Sequence, residues 1–335
     1  MLMKWRIRGM PSLKYQLQKE DYYRVLSFDG GGIRGILITI LLCRLAEQCP
    51  EVFENTDLFV GSSSGSFIAL ALASGIPPGD VVELFSYKNA KKTFGNPRPY
   101  YFFKPKYSNK PLKKLLHDIF PSTLRLKDLP KHVVVPSFKL YSPKTDRWEP
   151  AFFNNFPSSD NAEETVINVA LASSAAPIYF PSHKRYIDGG VVSKNPDMAA
   201  ISFAAGKCGA GAKLEDVVHL SFGTGWNPMK IKRDTSNWGL LQWMYSLLPG
   251  PSNPKLPLLS IVTEGDVDSD MFVSGHLLHE RYLRINPRLH EKVVLDDYRK
   301  IPELIDLANN VDLGPAIQFI KRYWQNSLQR LEPIG

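Results

Sequence analysis

Along the first three quarters of the chain, short unbroken apolar runs take turns with longer stretches in which apolar residues recur every three to four positions. The runs predict strands buried on both faces and the longer stretches predict the helices that cover them, so their alternation predicts an α/β fold around a mainly parallel sheet. Strands are predicted at "YRVLSF" (23–28), "TDLFVG" (56–61), "HVVVPSF" (132–138), "RYID" (185–188) and "VVHLSFG" (217–223). Helices are predicted at "IRGILITILLCRLAEQ" (33–48) and at "SGSFIALALASG" (64–75), the latter closed by Gly75 as a C-terminal cap, with further helices over 163–175 and 196–206. A helical period returns from about residue 301, and the chain holds no internal repeat. Two stretches break the rhythm, "FGNPRPYYFFKPKY" (94–107) and "PGPSNPKLPL" (249–258); their prolines predict surface loops.

Composition narrows the setting. A chain of 335 residues with 44% hydrophobic positions can bury a large core. A formal charge of +8 and a pI near 9.2 favour anionic surfaces, either phospholipid or nucleic acid. The Lys and Arg residues are scattered and no nucleic-acid-binding signature accompanies them, so no nucleic-acid partner is expected. Cys43, Cys49 and Cys208 are odd in number and unrelated in spacing, which predicts free thiols rather than a disulfide framework or a metal site. The basic start "MLMKWRIRGMPSLKYQLQKEDYY" lacks the apolar core of a signal peptide, and no apolar run reaches the roughly 18 residues of a membrane span. A soluble, cytoplasmic protein is expected.

Two glycine-marked turns carry candidate chemistry. "DGGGIRG" follows the first predicted strand, with Gly30, Gly32 and Gly35 in a G-x-G-x-x-G spacing that suits a dinucleotide, an oxyanion hole or a plain tight turn. A dinucleotide site wants an acidic residue at the end of the next strand; Glu47, Glu51, Glu54 and Asp57 all precede "LFV", which counts against it. That strand ends instead in "GSSSG", which sets Ser63 between Gly61 and Gly65 at a strand-to-helix turn, the setting of a nucleophile elbow. A glycine loop beside such a serine can bring backbone N–H groups to a tetrahedral oxyanion. A serine nucleophile needs a base. His183, His276, His279 and His290 do not sit at strand tips, whereas Asp188 in "RYIDGGVVSKNP" does, followed by Gly189 and Gly190. Asp188 is either a base with a pKa raised by burial or an aspartate capping its own turn.

Glycine loop, serine elbow and Asp-Gly-Gly in this order resemble the patatin-like phospholipases. The resemblance extends through "ASSAAPIYFP" (172–181), "DGGVVSKNP" (188–196), "LSFGTG" (220–225), "WGLLQW" (238–243) and "ERYLRI" (280–285), and so spans roughly residues 23–290. It implies a three-layer αβα sandwich with a mainly parallel central sheet: an N-terminal extension over 1–22, a catalytic domain over 23–290 and a helical segment over 291–335 packed on it. It implies a phospholipase A type of lipid acyl hydrolase with a Ser63–Asp188 dyad, an oxyanion hole from the N–H groups of Gly30, Gly31, Gly32, Ile33 and Arg34, and no metal or other cofactor. Gly31 and Gly32 would be the most exposed of these donors, and Arg34 would orient the loop or meet a phosphate. Three consecutive serines in "GSSSG" depart from the usual family elbow and put Ser62 and Ser64 beside the nucleophile.

The implied substrate is a phospholipid or galactolipid, reached through transient contact with an anionic membrane. Aromatic and basic residues interleave in 94–107, and 238–248 ("WGLLQWMYSLL") is apolar nearly all round, so these segments are the candidate interfacial surfaces. A general carboxylesterase with weak lipid preference and a non-catalytic lipid or nucleotide binder are the alternatives. A homo-oligomer and an activating ligand or protein stay open.

Overall fold

The computed structural model describes residues 22–99, 103–246, 254–255 and 257–324. The strands are β1 (Tyr23–Phe28), β2 (Leu58–Gly61), β3 (His132–Ser142), β4 (Arg147–Asn154), β5 (Tyr186–Ile187), β6 (Val217–Phe222) and β7 (Tyr282–Ile285). They form one sheet in the order β4-β3-β2-β1-β6-β7, with β5 paired to β3. The pairs β1–β2, β1–β6, β2–β3 and β6–β7 are parallel; β4 and β5 run antiparallel to β3.

Both sheet faces are covered, which is why the strand sequences read as apolar runs rather than alternations. Leu26, Phe28, Phe59, Val133 and Leu220 join one large core with the helices Gly35–Gln48, Ser64–Ala73 and Val166–Ser173. Val25, Val60, Val134 and Val217 face the other way, onto Ala200, Ile201 and Ala204 of the helix Asp197–Ala205 and Leu278 of the helix Pro257–Leu278. This is the three-layer αβα arrangement that the resemblance implied, around the mainly parallel sheet that the apolar runs predicted. The helices Ile301–Asn309 and Gly314–Tyr323 add Leu304 and Ile320 to the large core, and Trp324 Nε1 donates to Thr56 Oγ1 at 3.0 Å.

Register brings the functional loops together. Phe28, the last residue of β1, pairs with Gly61 of β2 and with Phe222 of β6. The glycine loop, the serine turn and the 223–225 turn therefore leave the sheet at one level, at the carboxyl ends of parallel strands where α/β sheets open a crevice.

Several elements differ from expectation. The strand predicted at 185–188 is only Tyr186–Ile187. β4 and the helices Tyr87–Phe94 and Lys110–Ile119 were not expected. Segment 94–107 is not simply a surface loop. Phe94 ends a helix, and its ring meets those of Tyr107 and Phe180 at 5.3 and 5.7 Å. Tyr107 is buried and Phe103 is 90% exposed, while residues 100–102 of that stretch lie outside the described residues. The loop expected over 249–258 gives way to a helix at Pro257, proline being tolerated in a first turn where its missing N–H costs no bond; residues 249–253 and 256 lie outside the described residues. In 238–248 the helix Leu240–Met244 leaves Leu240, Leu241 and Met244 exposed, with 247 and 248 outside the described residues.

Candidate active site

Ser63 sits at the bend between β2 and the helix Ser64–Ala73, with φ 51° and ψ −120°. A side chain in the left-handed region is strained, and such strain is characteristic of a serine turned outward at an elbow. The flanking glycines make the bend feasible: a Cβ on Gly61 would overlap Gly65 O, and one on Gly65 would overlap Phe28 O. Two further bonds hold the bend. Ser63 N–H donates to Ser173 Oγ at 2.9 Å, and Ser173 Oγ–H donates to Pro136 O at 2.7 Å, fixing the elbow to β3.

Ser63 Oγ donates to Asp188 Oδ2 at 2.7 Å across 125 positions of sequence. Asp188 caps its own turn as well, its Oδ1 accepting from Gly190 N–H at 2.7 Å, so the capping geometry and the bond to Ser63 occur together. Burial pushes its carboxyl up from 3.8 to about 6, against the opposing pull of the Ser63 hydroxyl, the Gly190 N–H and the Lys194 ammonium. Among the described residues no histidine bonds to either member of the pair; His183 Nε2 instead meets Asn168 Oδ1 at 3.0 Å.

The glycine loop runs beside this pair. Of its five expected donors, most are engaged: Gly30 N–H with Lys194 O at 2.9 Å, Gly31 N–H with Ser64 Oγ at 2.9 Å, Ile33 N–H with Leu295 O at 2.9 Å and Arg34 N–H with Gly31 O at 3.2 Å. Gly32 N–H has no partner among the described residues, and neither has Ser64 N–H, at the first position of the helix after Ser63. Gly32 has φ +58°, and a Cβ there would overlap Leu295 O, so glycine is required on both counts. Arg34 is not presented to solvent: it is 1% exposed and its Nη1 donates to Gly225 O at 3.0 Å, tying the loop to the turn after β6. On the other side Asp29 is locked by Arg284, whose Nη1 and Nη2 donate to Oδ1 and Oδ2 at 3.0 and 2.5 Å.

Gly32, Ser63 and Ser64 open onto an apolar cavity walled by Phe67, Phe85, Ala90, Leu112, Phe180 and Leu295. A serine hydroxyl, a carboxylate and two unengaged amides at the head of an apolar slot are the kinds of group that acyl transfer from an ester requires. Ser173, Lys194, the Ser64 amide and Leu295 were not singled out from sequence. Ser173 lies inside the "ASSAAPIYFP" block and Lys194 two residues before Pro196, so position within those blocks was the available signal. The other two act through backbone atoms, for which side-chain identity carries none. Among the described residues no cluster of three His, Cys, Asp or Glu is placed to hold a metal ion, and no helix is long and apolar enough to cross a membrane.

The chain has relatives among known proteins. The chain is 39% identical over 318 residues to CotR of Bacillus subtilis (strain 168), a protein named for sporulation, covering 90% of this chain and 98% of that one. Protein teg of Priestia megaterium is 38% identical over 318 residues, covering 90% and 99%. The cGAMP-activated phospholipase of Vibrio cholerae is 29% identical over 246 residues, covering 64% and 68%. Residues 26–201, which include the glycine loop, Ser63 and Asp188, match the model of the patatin-like phospholipases, and the chain belongs to that family of lipid hydrolases.

Proposed function

We propose that the protein is a phospholipase A type of lipid acyl hydrolase, with Ser63 as nucleophile and Asp188 as its base. The observation that carries the reading is the 2.7 Å bond from Ser63 Oγ to Asp188 Oδ2 at the head of the apolar cavity. The acyl chain of the substrate lies in the cavity, with the ester carbonyl carbon above Ser63. Asp188 accepts the hydroxyl proton as Oγ bonds to that carbon, and the carbonyl oxygen takes up the displaced electron pair. Gly32 N–H and Ser64 N–H, the unengaged donors, hold the oxyanion, helped by the N-terminus of the helix Ser64–Ala73. Collapse expels the lysolipid alkoxide, which takes the proton from Asp188 and leaves an acyl ester on Ser63. Water attacks that ester as Asp188 takes its proton; on release of the fatty acid the proton returns to Ser63 Oγ. A carboxylate raised to about 6 is ionised at neutral pH yet a stronger base than an ordinary aspartate.

Membrane contact belongs to the same proposal. The chain carries +8, and Leu240 and Leu241 are 77% and 78% exposed on a short helix that follows β6, whose end lies level with the active-site loops. Fatty-acid release from vesicles of mixed anionic and zwitterionic phospholipid, in excess chelator, tests the reading. The unmodified protein is expected to release fatty acid, and Ser63→Ala and Asp188→Asn to lose at least about a thousandfold. Release that survives Ser63→Ala refutes the assignment. Because one relative is named as cGAMP-activated, the assay is run with and without cyclic dinucleotide.

A further inference from the structure

Residues 289–296 form a strap across the glycine loop. Its near end is anchored by Leu289 N–H to Trp226 O at 3.1 Å and Val293 N–H to Asn227 Oδ1 at 3.0 Å. Its far end is anchored by Asp296, whose Oδ2 accepts from Lys106 Nζ at 2.5 Å and from Tyr107 OH at 2.7 Å. Between the anchors, Leu295 O accepts the Ile33 N–H, and the Leu295 residue lines the cavity. The pair is partly buried: the Asp296 side chain is 7% exposed and that of Lys106 28%, Tyr107 is buried, and Lys106 Nζ lies 5.3 and 5.6 Å from the ring centres of Tyr107 and Tyr179. Lys106 and Tyr107 are themselves pinned through their N–H groups to Ile178 O and Tyr179 O, each at 2.8 Å.

We infer that Asp296 is a positioning residue for the oxyanion loop: through the strap it sets the Leu295 carbonyl, and with it the orientation of the Gly32–Ile33 backbone. The chain of cause is short. Leu295 and Asp296 are adjacent, so the carboxylate anchor limits how far the Leu295 carbonyl can turn. That carbonyl is the partner of Ile33 N–H and lies hard against Gly32, whose own N–H is the unengaged donor beside Ser63. Preorganised donors lose effect when they are free to swing, and removing one oxyanion donor altogether costs about 10²–10³ in kcat. Loosening rather than removing it is expected to cost about tenfold. The same anchor joins segment 94–107 to the loop at Ser63, so a side chain remote from the ester acts on the reaction.

The catalytic half of this role rests on the proposed dyad, and the structural half is independent of it. Asp296→Asn keeps an acceptor for Tyr107 and removes the anion facing Lys106; Lys106→Met removes the cation and keeps the stem. Amide hydrogen exchange, read by mass spectrometry over the peptide spanning 29–36, is expected to quicken at Ile33 in both variants. It should stay unchanged at Asp29 and Gly30, which donate to Phe222 O and Lys194 O. On a soluble short-chain ester, kcat per active site titrated with a phosphonate is expected to fall about tenfold, with KM within about twofold. Unchanged exchange at Ile33 in both variants overturns the inference, as does a loss of activity that tracks only a lower titre of folded sites. If the unmodified protein hydrolyses no ester, the dyad reading fails and the exchange measurement alone decides the role of Asp296.

Discussion

Replacing Asp188 with Asn tests the electrostatics of the site through stability as well as rate. The Asp188 carboxyl is buried, and burial lifts it from 3.8 to about 6. A group whose folded pKa lies above its unfolded value binds its proton more tightly in the native state, so its contribution favours folding at low pH and is lost as pH rises from about 4 through about 6. At about 1.4 kcal/mol for each tenfold change, this shift corresponds to about 3 kcal/mol of native-state cost above pH 7. Asparagine has nearly the same shape and no charge to desolvate. Urea unfolding of both proteins from pH 4 to pH 8, followed by tryptophan fluorescence, cancels the titrations they share. The difference in stability is expected to move by about 2.4 kcal/mol in favour of the Asp188→Asn variant over that range, while kcat/KM of the unmodified enzyme rises through an apparent pKa of about 6. A difference that stays flat with pH, or moves the opposite way, refutes the claim that the site holds the Asp188 carboxylate desolvated.

Other expectations follow from the same geometry. Ser173→Ala removes the acceptor of Ser63 N–H and the donor to Pro136 O; it is expected to lower kcat about tenfold and stability by about 1–3 kcal/mol, measured by ester hydrolysis and urea unfolding. Ala90→Phe puts a ring into the apolar cavity, and should reduce kcat/KM on long acyl chains by tenfold or more while leaving a two-carbon ester within about twofold; equal losses on both would mean that the cavity does not hold the chain. Leu240→Ser with Leu241→Ser should weaken binding to anionic vesicles and spare the soluble ester, and unchanged vesicle binding would remove that helix from the proposed interface.

What could be read from sequence follows the kind of signal each feature leaves. β1, β2 and β6 are buried on both faces and show as apolar runs. β4 reads "RWEPAFFN", an edge strand broken by Pro150 and polar residues, and so carries no such run. The helix Tyr87–Phe94 is mostly polar, with only Asn89, Ala90 and Thr93 buried, and it runs into the proline-rich stretch that follows. The candidates Ser63 and Asp188 were legible because each sits at a strand end beside glycines, Ser63 between Gly61 and Gly65 and Asp188 before Gly189 and Gly190, a local pattern that records a backbone demand. Which amides face the cavity was not, because Gly30, Gly31 and Ile33 are engaged by Lys194, Ser64 and Leu295, partners between 33 and 262 positions away. The Leu295 contact in particular uses a carbonyl oxygen, which every residue has.

The most direct test of the central claim is covalent. The protein is treated with a long-chain alkyl phosphonate ester, which mimics the tetrahedral intermediate, and the modified peptide is mapped by mass spectrometry. One adduct per chain is expected on Ser63, absent in Ser63→Ala, strongly slowed in Asp188→Asn and blocked by prior incubation with phospholipid vesicles. An adduct on Ser62, Ser64 or any residue elsewhere, or hydrolysis that continues after Ser63 is fully modified, would contradict it.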